Sequence, residues 1–131
     1  MRAWVYDIEE FVYPTKDNVE GMVEFYTILR GYELLNRKFC IDKSTNVLDL
    51  NGVEIYENDK VQVTHILTAD EISLGYKSVT VGYVEYDDGC FVVVDKKEDT
   101  YVHVQTAIIP QDLYKLRVIG TKHDKYRTKK V

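Results

Sequence analysis

"VTVGYVEYDDGCFVVVD", residues 79 to 95, is the stretch that decides the fold class. Two runs of β-branched and aromatic residues flank Asp88-Gly89, a dipeptide that readily adopts the positive φ angles of a two-residue hairpin turn. Such a turn places four apolar side chains on one face of the hairpin: Val84, Tyr86, Phe91 and Val93. The stretch therefore predicts an antiparallel β-hairpin.

Alternating apolar residues predict further strands on both sides of this hairpin. They lie in DKVQVTHIL (59–67), in TYVHVQTAII (100–109) and, after a tight turn at PQDLY (110–114), in KLRVIG (115–120). We interpret TADEISLGYKS (68–78) as a loop. Five short strands at this spacing are typical of a small, strongly bent β-barrel of the SH3-like type.

The N-terminal half is less regular. RAWVYDIEEFVY (2–13) predicts one or two strands, whereas NVEGMVEFYTILRG (18–31) fits two patterns. A helix capped by Asn18 would carry an apolar stripe: Val19, Met22, Val23, Tyr26 and Leu29. Because Gly21 weakens a helix and β-branched and aromatic residues dominate 23–28, we favour a strand.

These patterns predict a mainly β protein with three segments. Residues 1–50 are predicted to form a β-rich N-terminal extension, with one short helix as the alternative for part of it. Residues 51–121 form the small β-barrel, and residues 122–131 form a basic tail. There is no internal repeat and no low-complexity linker.

The composition is that of a globular protein in the cytoplasm. Of 131 residues, 45% are hydrophobic and 30% charged, and eleven Tyr beside two Pro favour β structure. No apolar run approaches the roughly 20 residues that span a bilayer, and the first residues contain acids where a signal peptide is apolar. Cys40 and Cys90, far apart in sequence, are predicted to be buried thiols and not a disulfide.

Charge is distributed unevenly along the chain. Residues 114–131 contain seven Lys or Arg and one acid, so their net charge is +6. The whole chain has a net charge of −5, and residues 1–113 therefore have a net charge of −11. An acidic body disfavours nucleic-acid binding, which needs cations against phosphates. The tail could still bind nucleic acid, through a set of cations with one aromatic residue: Lys122, Lys125, Tyr126, Arg127, Lys129 and Lys130. The simpler interpretation of the tail is a solvated, frayed terminus.

The stretch NGVEIYENDKVQV (51–63) combines Asn, Gly and acids in a way that could suggest a metal-binding loop. Asn51-Gly52 predicts one turn and Asn58-Asp59 a second, before the strand that starts at Lys60. A calcium loop needs oxygen ligands at alternate positions and a closing Glu, and Asp49, Asn51 and Asp59 do not match that spacing. We therefore predict turns here and no metal-binding residues.

TNVLDLNGVEIYENDKV (45–61) resembles the signature of the YopX family of phage and prophage proteins, T-G-L-x-D-x-N-G-x-E-I-Y-E-G-D-x-V. Ten positions match: Thr45, Asp49, Asn51, Gly52, Glu54, Ile55, Tyr56, Glu57, Asp59 and Val61. The opening R-A-W at 2–4, the hairpin at 82–93 and the I-G at 119–120 are also similar to the family pattern.

Two glycines of that pattern are Asn46 and Asn58 in this chain, and Asn also tolerates the left-handed conformation. The N-x-Y-E that usually follows the I-G is replaced by TKHDKY (121–126). The resemblance implies a mainly β fold with a barrel-like C-terminal part, a homo-oligomer and a phage setting in a bacterial host cell. It implies no activity and no cofactor.

Enzymatic interpretations are weak. Cys90 and His103 could form a nucleophilic pair, but the apolar surroundings of Cys90 would disfavour its thiolate. Two groups of acids could form a two-carboxylate site, although acidic turns are far more common: Glu54, Glu57 and Asp59, and Glu85, Asp87 and Asp88. No phosphate loop or other catalytic motif is present. We predict no enzyme, no catalytic residues and no cofactor.

Three hypotheses for function follow. We favour a phage-encoded interaction module that binds a host or phage protein, as a homo-oligomer, through exposed aromatic residues and sheet edges. The alternative is a nucleic-acid accessory protein that uses the basic tail. An unrecognised hydrolase is the third.

Overall fold

The computed structural model describes residues 1–65, 67–75, 79–97, 100–103 and 114–126. The chain folds into two compact units. The first unit comprises Met1–Lys43 and His123–Val131, and the second comprises Ser44–Lys122. The second unit is thus an insertion in the sequence of the first.

The first unit contains three strands, one long helix and most of a short 3-10 helix. Their bounds are β1 Arg2–Val5, β2 Glu10–Val12, α1 Val19–Leu34, β3 Phe39–Asp42 and the 3-10 helix Lys122–Tyr126, which begins at the last residue of the second unit. The strands form an antiparallel sheet in the order β2-β1-β3. The expectation of one or two strands in 2–13 is confirmed, since β1 and β2 pair there.

Strand β1 is buried along its whole length. Alternate residues of a strand point to opposite faces of the sheet, so Ala3 and Val5 lie on one face and Arg2 and Trp4 on the other. On the first face Ala3 forms a core with Phe25 and Leu29 of α1. The helix therefore covers one face of the sheet, and Arg2 and Trp4 lie on the opposite face.

The prediction of a strand over residues 19–31 is wrong, because this segment is the 16-residue helix α1. Asn18 caps the helix as the alternative pattern required, its side chain accepting the N–H of Gly21 over 2.8 Å. The buried face matches the stripe predicted from the sequence only at Leu29, which is buried, and at Met22, which packs partly buried against the same core. Phe25 and Leu29 are buried, whereas Val19 and Val23 are exposed.

Gly21 has a low helix propensity, but the packing at the start of α1 requires a glycine at this position. A Cβ at this position would overlap the backbone carbonyl of Lys16. The segment before the helix therefore packs directly against the first helical turn, and only glycine permits this approach.

We expect Gly21→Ala to destabilise the protein by about 1–3 kcal/mol, because the overlap with a backbone atom forces the chain to shift. Gly31→Ala in the same helix is the control, since its Cβ would meet no atom within 4 Å. Alanine at position 31 should stabilise by roughly 0.5–1 kcal/mol. Chemical denaturation measures both, and equal effects at the two positions would contradict the packing at Gly21.

The second unit is mainly β. Its elements are β4 Ser44–Leu48, β5 Glu54–Tyr56, β6 Asp59–His65, α2 Ala69–Ser73, β7 Val79–Asp87, β8 Cys90–Asp95, β9 Thr100–His103 and β10 Tyr114–Thr121. Strands β4 and β5 pair with each other, and the other five form an antiparallel sheet in the order β10-β6-β7-β8-β9. The predicted mainly β fold is confirmed.

The predicted hairpin is confirmed in its register. Tyr86 pairs with Phe91 at the end of β7 and β8, and the turn residues Asp88 and Gly89 have φ angles of 50° and 82°. Both asparagines that replace family glycines are also left-handed, with φ of 60° at Asn46 and 71° at Asn58.

Other predictions for this unit have mixed outcomes. The strands predicted in 59–67 and 115–120 are present as β6 and β10, and β9 begins the strand predicted at 100–109. The turn at 110–114 lies in the undescribed residues, except for Tyr114 in β10. The loop assignment for 68–78 missed α2, which begins with a capping box in which Thr68 and Glu71 each bond the other's backbone N–H.

The core of the second unit joins β4, β5 and the large sheet. Its buried residues are Val47, Ile55, Val61, Val63, Val84, Val93 and Leu116. In the described part of the chain none of the sheets closes into a barrel, because β9 and β10 remain the two edges of the five-stranded sheet.

Candidate functional site

The carboxylate of Asp49 holds together the turn that follows β4. Its Oδ1 accepts the backbone N–H groups of Asn51 and Val53, each over 2.8 Å. Its Oδ2 accepts the N–H of Val118 in β10, also over 2.8 Å. Since Asp49 is buried, this single side chain fixes a local turn and ties it to a strand 69 residues away in sequence.

Two other residues of the same motif also bond to backbone. The hydroxyl of Thr45 donates to the carbonyl of Ile55 over 2.7 Å, and Oδ2 of the buried Asp59 accepts the N–H of Tyr56 over 2.8 Å. These contacts lie within the turns and between β4 and β5. These contacts give the motif at 45–61 a scaffolding role, and the left-handed φ angles of Gly52 and Asn58 confirm the two predicted turns.

The two groups of acids considered for a hydrolase lie in the second unit. In the first group Asp59 is buried against backbone, while Glu54 is exposed. In the second group Asp87 and Asp88 are exposed at the hairpin turn. In the described residues neither group belongs to a set of three clustered ligands.

The cysteines and two of the histidines were considered for a nucleophilic site, and the backbone places them as follows. Cys40 lies in the first unit and Cys90 in the second, and both are half-buried thiols, less buried than predicted. Cys90 pairs with Asp87, whereas His103 pairs with Val92. The Nε2 atom of His65 lies 3.4 Å from the hydroxyl of Thr80.

The face of the first unit's sheet that α1 leaves uncovered carries a polar cluster. The register of β1 and β3 pairs Arg2 with Asp42 and Trp4 with Cys40, so these four residues share one face. The fifth member, His123, comes from the 3-10 helix. We call Arg2, Trp4, Cys40, Asp42 and His123 the Asp42 cluster.

Asp42 is the centre of this cluster and is fully buried. Arg2 donates its Nε–H to Asp42 Oδ2 over 3.0 Å. His123 Nε2 lies 3.0 Å from both Oδ1 and Oδ2 of Asp42. Cys40 directs its Sγ–H toward Oδ1 at 3.8 Å. The guanidinium, the imidazole and the thiol thus all approach the same carboxylate.

Aromatic rings enclose the cluster. The ring of Trp4 stacks on that of His123 with the centroids 5.5 Å apart and the planes at 9°. The guanidinium carbon of Arg2 lies 3.9 Å from the centre of the Phe11 ring, and Phe11 packs edge-on against Trp4. These contacts keep water from the charged groups and fix the orientation of the imidazole.

Sequence reasoning missed this cluster. The spacing of Cys40 and Asp42 is that of two residues on one face of a strand, but His123 is 81 positions further along the chain. His123 was assigned to a frayed basic tail, and that interpretation is wrong for the start of the tail. Lys122 is half-buried with its N–H bonded to the carbonyl of Asn58, and His123 is only 3% exposed.

The tail residues predicted to bind nucleic acid are only partly described. Lys122, Lys125 and Tyr126 belong to the 3-10 helix, while Arg127, Lys129 and Lys130 lie outside the described residues. The structure thus places Lys122, Lys125 and Tyr126 in a folded segment. Nucleic-acid binding by the tail stays a prediction.

A second feature of the first unit is an apolar surface on α1. Val19, Val23 and Tyr26 recur at helical spacing and are 80%, 60% and 46% exposed. They line an open groove of about 730 Å³ together with Asp17 at one end and Arg30 at the other. We call these five residues the α1 face.

The fold and these features define a mainly β protein of two units, with a helix-covered sheet in one and a five-stranded sheet in the other. The chain belongs to the YopX protein family, whose model matches residues 2–126. No curated protein and no solved structure matches the chain.

In the described part of the chain no helix is both long enough and apolar enough to cross a bilayer.

Proposed function

We propose that this protein is a phage- or prophage-encoded interaction module of the bacterial cytoplasm, which assembles as a homo-oligomer and binds a host or phage protein without catalysis. The phage setting rests on the family resemblance. The single observation that carries the interaction role is the α1 face.

A helix face that remains in water normally carries charged or polar residues. The α1 face instead presents Val19, Val23 and Tyr26, adjacent on successive turns and largely exposed. A contiguous apolar patch bordered by charges is characteristic of protein interaction sites. The hydroxyl of Tyr26 donates to Met1 Sδ over 3.0 Å, which anchors one end of the patch.

The occupant that fits this face is a second copy of the same chain. Asp17 lies at one end of the face and Arg30 at the other, so two helices packed antiparallel about a two-fold axis would bring Arg30 of each copy to Asp17 of the other. In such an interface every contact occurs twice. The apolar residues then meet in the centre, with the charges at the rim as in most interfaces.

Val23→Glu should weaken self-association by at least about a hundredfold, because it buries an unpaired carboxylate at a cost of roughly 3 kcal/mol. Sedimentation velocity over a range of concentrations measures this. Ile28→Glu is the matched control, since Ile28 is 42% exposed on the same helix but does not line the groove.

Charge exchange tests the antiparallel arrangement. Arg30→Asp alone should weaken association, and the double variant Arg30→Asp with Asp17→Arg should restore it, because the reversed pair is again complementary. A wild-type protein that stays monomeric at high concentration, or equal effects of Val23→Glu and Ile28→Glu, would rule out self-association through this face.

Exposed aromatic residues of the second unit support binding of another protein. Tyr83 and Tyr86 are 37% and 48% exposed on β7, and tyrosine is enriched at protein interfaces. We further propose that the five-stranded sheet is bent in the SH3-like manner. The strand order supports this, since β10 pairs with β6 while β6 to β9 follow one another in sequence.

Affinity capture from lysogenic cells, with and without nuclease, distinguishes this function from the nucleic-acid alternative. We expect the captured protein to be insensitive to nuclease and to bind the purified chain in isolation. Submicromolar, salt-sensitive DNA binding that is abolished by replacing Arg127, Lys129 and Lys130 with Gln would instead favour the basic tail as the functional site.

A further inference from the structure

We propose that Cys40, Asp42 and His123 bind a divalent transition-metal ion of the zinc type. In the described residues these three form a group whose potential ligand atoms all lie within 4.8 Å of one another. A thiolate, a carboxylate and an imidazole are the ligand types that zinc takes in proteins. This inference is independent of the α1 face and of self-association.

The distances fit a common metal ion. Ligand atoms around tetrahedral zinc, with Zn–S near 2.3 Å and Zn–N or Zn–O near 2.0–2.2 Å, lie roughly 3.3–3.7 Å apart. In the protein His123 Nε2 and Asp42 Oδ1 are 3.0 Å apart, and Cys40 Sγ and Asp42 Oδ1 are 3.8 Å apart. Small side-chain adjustments would accommodate the ion.

Metal binding at this site also balances in protons and charges. The ion replaces the thiol proton of Cys40, which leaves to solvent, and it takes the lone pair of His123 Nε2, so that the imidazole carries its proton on Nδ1. Asp42 coordinates through Oδ1 while its Oδ2 keeps the hydrogen bond from Arg2. With the two anionic ligands and the guanidinium of Arg2 counted together, the occupied cluster carries one net positive charge.

The surroundings suit a metal-binding group. The stack of Trp4 on His123 orients the imidazole, and the hydrogen bond from Arg2 to Oδ2 orients the carboxylate of Asp42, as supporting contacts around metal ligands do. Cys40 is half-buried whereas Asp42 and His123 are buried. The ion would therefore enter from the side of Cys40, and water would complete its coordination as in other zinc sites with three protein ligands.

Titration of the full chain with Co²⁺ tests the site. Cobalt substitutes for zinc, and its bond to a thiolate gives an intense charge-transfer absorption. We expect one equivalent to bind with that absorption and excess Zn²⁺ to displace it. Cys40→Ser should remove the absorption and weaken Zn²⁺ binding by about tenfold or more, since a thiolate ligand is lost. Cys90→Ser, a half-buried cysteine of the other unit, should leave both unchanged.

A second test uses only the wild-type protein, so its result does not depend on whether a variant folds. Zn²⁺ should slow alkylation of Cys40 by iodoacetamide by about tenfold or more, since a coordinated thiolate is a poor nucleophile, and leave Cys90 unaffected. Absence of the thiolate absorption, its survival in Cys40→Ser, or equal protection of both cysteines would overturn the proposal.

Discussion

Replacing Asp42 by Ala should lower the free energy of unfolding by about 3–5 kcal/mol, because it removes the carboxylate that forms a buried ion pair with the guanidinium of Arg2. Arg2 is 6% exposed and Asp42 fully buried. The same substitution removes the group that His123 Nε2 contacts. Urea denaturation followed by tryptophan fluorescence is a suitable measurement, since Trp4 stacks on His123 in this cluster.

A matched control is the ion pair between Arg37 and Asp7 in the same unit. Arg37 donates two hydrogen bonds to the carboxylate of Asp7, over 2.8 and 3.0 Å, and these hold the pKa of Asp7 below its usual range. Asp7 is exposed, and solvent screens an exposed pair strongly. Asp7→Ala should therefore have a much smaller effect than Asp42→Ala, and comparable losses would show that burial does not govern the energetics of the cluster.

Asp49→Ala is the second substitution with a large expected effect, a loss of about 3–5 kcal/mol. It removes the acceptor of three backbone N–H groups, those of Asn51, Val53 and Val118. Each donor left without a partner inside the protein costs roughly 1–3 kcal/mol. Since one of the three lies in β10, the substitution should also loosen the edge of the large sheet, which hydrogen exchange at Val118 would detect.

A graded series strengthens this test. Asp49→Asn keeps an oxygen for two of the donors but turns an amide N–H₂ toward a third, so its loss should be smaller than that of Asp49→Ala. Asp87→Ala, at an exposed position of the hairpin, should change stability by no more than about 0.5 kcal/mol. If Asp49→Ala behaved like Asp87→Ala, the scaffolding role of the motif would be wrong.

The YopX signature is largely a description of how β4, β5 and β6 are connected. Thr45, Asp49 and Asp59 satisfy backbone groups, and Asn46, Gly52 and Asn58 occupy left-handed positions. We therefore expect function to reside in surfaces outside this signature. The α1 face and the Asp42 cluster are both in the first unit, outside residues 45–61.

Local chemistry determined much of the second unit. Asp88-Gly89 specified the hairpin and its register because only a few residues accept positive φ at both central positions of the turn. Asn46 and Asn58 were predicted to be left-handed for the same reason, and both are. Each of these outcomes depends on the conformational preferences of one or two adjacent residues. Such preferences follow from residue type alone and can be predicted from the sequence.

Tertiary structure decided what depends on distant partners. Residues 19–31 carry β-branched and aromatic side chains that favour a strand, but Phe25 and Leu29 are buried against Ala3 of β1, and this burial outweighs a propensity difference of tenths of a kcal/mol per residue. The Asp42 cluster likewise exists only because the chain returns to β1 and β3 at His123, after the whole second unit. No local preference encodes such a contact, because its energy comes from burial and charge pairing between segments that only the folded chain brings together.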